Sequence, residues 1–214
     1  MSNKIVFILD RSGSMFNLQK DVIGGFNSFL SEQKKLKDKA EVTTILFDHY
    51  YEVLHDDIDI NRVEPITERQ YYTRGNTALL DAIGKTIKNI DVATKKRDNV
   101  LFVINTDGYE NASTEYNNKQ VKELVEHFEK KHDWKFIFLG ANMDAFSVGS
   151  TMGITYNFNY ANTKDGIHTM YAAVSDTTRS WRTMNSSAGG GGGGTFDTTQ
   201  LSNMDKEVKD NSSS

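Results

Sequence analysis

Six short runs rich in Ile, Val, Leu and Phe constrain this chain most, because helix-like segments separate nearly all of them. Residues 4–9, 41–47, 50–54, 99–104, 135–139 and 154–160 read as strands. The unbroken apolar runs Ile5–Leu9 and Val100–Ile104 predict strands buried on both faces. Between the strands, Phe16, Val22, Ile23, Phe26, Phe29 and Leu30 recur at helical spacing, and so do Leu79, Leu80, Ala82, Ile83 and Ile87. Two more helices are marked by Val121, Leu124, Val125 and Phe128, and by Ile167, Met170, Tyr171 and Val174. Strands that alternate with helices imply crossover units. The expected fold is therefore α/β: a doubly wound, mostly parallel, six-stranded sheet of Rossmann-like kind with helices on both faces. Only the Asp48-His49 connection is too short for a crossover, so the third strand should run antiparallel at an edge.

The sequence of 214 residues suffices for one domain and a tail. Residues 1–184 carry the pattern. Residues 185–214 do not: six glycines at 189–194 lead into a polar stretch whose apolar residues are mainly Phe196, Leu201, Met204 and Val208. Composition there favours a flexible, unstructured tail, with a short docking peptide as the alternative. A formal net charge of -4 gives no electrostatic reason to bind nucleic acid or an anionic membrane. No cysteine is present, which excludes disulfides and zinc–thiolate sites and suits a reducing compartment. The first apolar run is too short for a signal-peptide core and meets Asp10 and Arg11 at once, and no run is long enough to span a membrane. The expected location is the cytoplasm.

Ligands of open parallel sheets sit beyond the carboxyl ends of the strands. There the first strand runs into Asp10-Arg11-Ser12-Gly13-Ser14, the fourth into Asn105-Thr106-Asp107-Gly108, and Arg74-Gly75-Asn76-Thr77 precedes a helix. Asp10, Ser12 and Ser14 are alternate positions and can face one side. With Thr77 and Asp107 they make two carboxylates and three hydroxyls, a hard-oxygen set suited to Mg²⁺ or Mn²⁺ and less to Ca²⁺, which takes more ligands. Each piece alone also reads as ordinary punctuation: a helix N-cap at Ser14 or Thr77, a turn at Asp107-Gly108. The joint order on one sheet edge is the informative feature.

Strand–Asp-x-Ser-x-Ser, then Gly-x-Thr before a helix, then strand–Thr-Asp-Gly resembles the von Willebrand factor A family and its metal-ion-dependent adhesion site. The stretch from Gly75 to Ile83 resembles the family's third-motif helix start, Thr106 to Asn111 its bacterial members, and Leu139-Gly140-Ala141-Asn142 with Asp144 the loop after strand five. The resemblance covers roughly residues 3–183 and points to a stand-alone bacterial or phage-type member. It implies a cation at the top of the sheet, held by Asp10, Ser12, Ser14, Thr77 and Asp107, with an open position that a protein partner fills with an Asp or Glu oxygen. Oligomeric state is not implied.

Two other readings stay open. One is a metal-assisted phosphate hydrolase, for which only His49, Glu110 and Asp144 stand where a base would be needed. No nucleophile elbow and no phosphate-cradling glycine loop accompanies them. The other is a purely structural metal that ties loops together. His49, His55, His127, His132 and His168 lack zinc spacing. Asp56-Asp57-Ile58-Asp59 reads as a solvated, charge-protected strand edge, and Lys34-Lys35-Leu36-Lys37 and Lys95-Lys96-Arg97 as basic helix ends.

Overall fold

A computed structural model describes residues 2–95, 98–141, 143–187 and 195–212. Its centre is one six-stranded sheet built from β1 (Asn3–Asp10), β2 (Ala40–Phe47), β3 (Tyr51–Asp59), β4 (Asn99–Thr106), β5 (Lys135–Ala141) and β6 (Tyr156–Tyr160). The order is β3-β2-β1-β4-β5-β6, with every neighbouring pair parallel except β2 and β3. The doubly wound sheet and its antiparallel edge strand are thus as the hydrophobic pattern implies.

The helices are α1 (Gln19–Gln33), α2 (Leu79–Ala93), α3 (Asn118–His132), α4 (Ala145–Thr151), α5 (Lys164–Ser187) and α6 (Thr199–Ser212). They divide between two cores. Ile5, Phe7 and Leu9 of β1 face α1, α5 and α6, where Phe26 and Phe29 meet Phe7 edge-on with ring centroids 5.1 and 4.8 Å away. Val6 and Ile8 point the other way, to a core shared with α2, α3 and α4. Successive strand residues point to opposite faces, so a strand covered on both sides must be apolar throughout. Each such fully buried side chain contributes about 1.5–3 kcal/mol of transfer free energy.

Several boundaries differ from the sequence reading. The helix expected from Phe16 begins as a 3₁₀ segment over Gly13–Leu18, and α1 follows it. The third strand runs on to Asp59 because its acidic stretch has partners. The Asp57 N–H donates to Thr43 Oγ1 at 3.1 Å, and Lys4, itself buried, reaches Asp57 and Glu41. Asp57 takes φ 53° at this irregular pairing of β2 with β3.

The largest correction concerns the tail. The chain after residue 184 stays helical to Ser187, and residues 199–212 form α6 rather than an unstructured end. Leu201 and Met204 recur one turn apart and are buried against the first core, and the Phe196 ring packs 4.9 Å from Tyr156. The Asp205 carboxylate accepts from the Asn159 backbone N–H at 2.9 Å and from its side-chain amide at 3.0 Å. That satisfies a strand-edge donor which would otherwise lack a ladder partner. The six glycines at 189–194 lie outside the described residues, as do Asn142 and the Lys96-Arg97 part of the second basic run.

Candidate metal centre

The parallel register decides what meets at the top of the sheet. β1 and β4 are central neighbours with Leu9 opposite Asn105, so Asp10 and Thr106 end side by side. The Thr106 hydroxyl donates to one Asp10 oxygen, and the Ser12 backbone N–H donates to the other at 2.6 Å. Asp10 is therefore fixed behind the loop, where it is 1% exposed. Ser12 is extended (φ -63°, ψ 170°), and the chain then coils into the 3₁₀ segment, which brings Ser14 Oγ to 3.1 Å from Ser12 Oγ. Ser14 also donates to Asp107 Oδ1. A methyl group placed on Gly108 would lie 2.9 Å from Thr77 Oγ1, 3.4 Å from Ser14 Oγ and 3.7 Å from Ser12 Oγ. Three hydroxyl oxygens thus converge on one cradle beside Gly108, with Asp107 at its rim and Asp10 beneath. Asp10, Ser12, Thr77 and Asp107 are buried and Ser14 is exposed, so the cradle opens on the Ser14 side.

The electrostatics fit a cation. Burial pushes the Asp10 carboxyl up to about 6, with the Asp107 charge adding to the rise against the hydrogen bonds from Thr106 and Ser12. Burial likewise raises Asp107, against the hydrogen bond from Ser14. Among the described residues, no Lys, Arg or His ion-pairs with either carboxylate. Two buried like charges without a counter-charge are unfavourable, and a divalent ion would remove that cost. No three His, Asp or Glu side chains lie close enough to hold an ion by themselves among the described residues. Any ion at this place would depend on the hydroxyls, which suits a hard cation.

A second set of residues, which the sequence reading did not single out, braces the loops. Asp48, fully buried, accepts from Arg11 Nε and Arg74 Nε, each at 2.9 Å. Arg11 also reaches Glu52 at 2.8 Å. Burial pushes the Asp48 carboxyl up, but the hydrogen bonds from Arg74 and the Tyr50 N–H and the two guanidinium charges hold it below its ordinary value. Backbone bonds run in parallel: Arg74 N–H to Arg11 O at 2.8 Å, Gly13 N–H to Gly75 O at 3.1 Å and Ala78 N–H to Asp48 O at 2.9 Å. Gly75 has φ +66° and faces the His49 ring so closely that a side chain would collide with it. Asn111 Oδ1 accepts from the Thr77 N–H at 2.9 Å, which ties the Thr77 loop to the Asp107 loop, and the buried Tyr71 hydroxyl donates to Asp10 O.

The three residues that a hydrolase would call on are placed differently. Both Glu110 oxygens are occupied, by the Leu80 N–H at the start of α2 and by Ala112 and Ser113. Asp144 caps α4 through the Ser147 N–H at 3.0 Å. His49 stands beside Asp48 at 3.2 Å and against the Tyr50 ring.

No protein-family model and no curated sequence matches the chain. Solved structures do. The D319A mutant of the PilB minor pilin from Streptococcus sanguinis aligns over 88% of this chain and 63% of its own, with a TM-score of 0.62 and 10% identity. Proximal thread matrix protein 1 from the mussel byssus, with a zinc-occupied MIDAS motif, aligns over 83% and 46%, with a TM-score of 0.57 and 13% identity. The SpRpn10 VWA domain aligns over 81% and 95%, with a TM-score of 0.57 and 11% identity. The chain thus spans less than two thirds of the pilin and under half of the byssus protein, yet nearly the whole of an isolated VWA domain. Sheet order, a single antiparallel edge strand and loops gathered at one end define a Rossmann-like α/β domain. Within that class the fold is the von Willebrand factor A type, and at these identities the likeness concerns the fold alone.

Proposed function

We propose that this chain is a protein-interaction module that holds one divalent cation with Asp10, Ser12, Ser14, Thr77 and Asp107. The observation that carries the reading is the convergence of three hydroxyls and Asp107 on the Gly108 cradle, above a buried carboxylate that has no cationic partner among the described residues. Ser12, Ser14 and Asp107 would supply oxygens at the cradle, Thr77 would close it, and Asp10 would orient Ser12 and add charge from behind. When bound, such an ion supplies an electrophilic point for a carboxylate oxygen of a protein partner. Hard-oxygen chemistry favours Mg²⁺ or Mn²⁺. The zinc in the byssus protein makes Zn²⁺ a necessary comparison.

A binding role is favoured over hydrolysis because each candidate base has a structural partner: both Glu110 oxygens and one Asp144 oxygen accept backbone N–H groups, and His49 stands against Asp48 and the Tyr50 ring. It is favoured over a sealed structural ion because the Ser14 side of the cradle faces solvent. No helix among the described residues is long and apolar enough to cross a membrane. A cysteine-free chain suits the cytoplasm, and cell fractionation tests that placement.

Calorimetric titration with Mg²⁺, Mn²⁺ and Zn²⁺ tests the metal. One site is expected in the native protein and none in Asp107→Ala; absence of binding by the folded native protein at millimolar metal refutes the proposal. A pull-down from the native host, with and without chelator and against Asp10→Ala, tests the partner. The same prey should be lost in both conditions, and prey retained in both contradicts a role for the ion in recognition.

A further inference from the structure

Exposed apolar side chains on this molecule are concentrated at one end. Among the described residues seven large ones are exposed, and five of these are aromatic and stand at the loop end of the sheet that carries the candidate metal centre. Phe16, 69% exposed, follows Ser14 by two residues, and Tyr109, 57% exposed, follows Asp107 by two. Tyr50 sits on the turn whose Asp48 braces the site. Tyr72 lies beneath both braces, with the Arg11 and Arg74 guanidinium carbons 5.3 and 5.0 Å from its ring centre. Phe146, 66% exposed, opens α4 just beyond the end of β5, the neighbour of β4. The remaining two, Val53 on the edge strand and Val92 near the far end of α2, stand elsewhere.

Single exposed rings are ordinary, but five of the seven large exposed apolar side chains at one end of the sheet are a concentration that calls for a function. Charge narrows what could dock there. A divalent ion is neutralised by ionised Asp10 and Asp107, and the two guanidinium charges of Arg74 and Arg11 are balanced by Asp48 and Glu52. The loaded face therefore has no surplus positive charge with which to attract an acid-rich surface, and the chain as a whole is at -4. Affinity has to come from ring contact, and aromatic side chains are the residues that most often dominate interface energetics.

Resting on the metal-dependent reading above, we infer that the partner is a protein segment presenting one Asp or Glu flanked by aliphatic or aromatic side chains, which the Phe16, Tyr109 and Phe146 rings grip while the carboxylate meets the ion. The rings sort partners by what surrounds the carboxylate; the ion supplies a contact that any carboxylate can use.

Selection of a random-peptide display library on the full chain in Mg²⁺, with elution by chelator, tests this. The expected consensus has one acidic residue with apolar residues within three positions of it. Phe16→Ala, Tyr109→Ala and Phe146→Ala should each weaken the consensus peptide about tenfold or more. Their Mg²⁺ affinity and melting temperature should stay unchanged, as expected for exposed positions. Poly-acidic peptides, a consensus indifferent to the three substitutions, or no enrichment over Asp10→Ala protein would each overturn the inference. If chelator elutes peptides that ignore the rings, the metal-dependent reading survives and only the inference falls. If Mg²⁺ does not bind at all, that reading fails first. Binding to a glycan array through the same rings would assign them to a different class of ligand and overturn it as well.

Discussion

Gly108→Ala separates the cation site from the fold, because it removes no proposed ligand and acts only on the space between them. Gly108 is not among the glycines with positive φ, so alanine can adopt its backbone. The added methyl would lie 2.9 to 3.7 Å from the Thr77, Ser14 and Ser12 hydroxyl oxygens. An ion needs those oxygens at about 2.1 Å, whereas carbon needs about 3.5 Å or more from its neighbours, so methyl and ion compete for one space. Affinity should fall more than about a hundredfold, or about 2.7 kcal/mol. Without metal the change is small. A compatible Gly→Ala exchange gains about 0.4–1 kcal/mol, and the tight approach to Thr77 costs about the same or slightly more. The assay is a thermal melt with and without Mg²⁺ at about 100 times the native Kd. The native protein should gain about 2.7 kcal/mol, a rise of roughly 5–11 °C for a chain of this size, while Gly108→Ala should gain almost nothing from the same apo melting point to within a few degrees. An equal metal-induced rise in both proteins would refute the placement of the ion at the Gly108 cradle.

Three further outcomes follow from the packing. Asp48→Asn leaves two guanidinium groups facing a neutral amide in a fully buried position and should cost about 3 kcal/mol or more in a denaturant titration; an unchanged midpoint would mean that Arg11 and Arg74 do not depend on Asp48. Leu201→Ala should cost about 2–5 kcal/mol, since Leu201 is fully buried; a cost near zero would return α6 to the status of a loose tail. Burial lowers the His55 pKa below its ordinary 6.5, so the unfolded chain takes up a proton before the folded one. The stability His55 confers is present above about 6.5 and is lost as pH falls through its depressed folded value. Urea titrations across pH 7 to 5 should therefore drop more steeply for the native protein than for His55→Gln, and parallel curves would contradict the burial of a neutral ring.

How far residues alone reach varies with the kind of signal. β1 and β4 were legible because a strand covered on both faces has no polar position, and Ile5–Leu9 and Val100–Ile104 leave none. The antiparallel edge was legible because two residues cannot make a crossover. α6 was not, since Leu201, Met204 and Val208 are the few apolar residues of its face, a signal too sparse to outweigh six preceding glycines. The extension of β3 through three aspartates was hidden for a different reason. Its cause is the distant Lys4, and pairing across the sheet is invisible in local composition. At the candidate centre, Asp10, Ser12, Ser14, Thr77 and Asp107 could be nominated by order and strand context. Their bracing could not, because Asp48, Tyr71 and Asn111 act through contacts that only the folded loops create.

The claim on which the rest depends is that separate loops share one cation. Crystals grown with Mn²⁺ and measured for anomalous scattering test it directly. A single peak is expected, bonded to the Ser12 and Ser14 hydroxyls and close to Asp107, with one coordination position turned outward. A peak elsewhere, or none at saturating Mn²⁺, contradicts it.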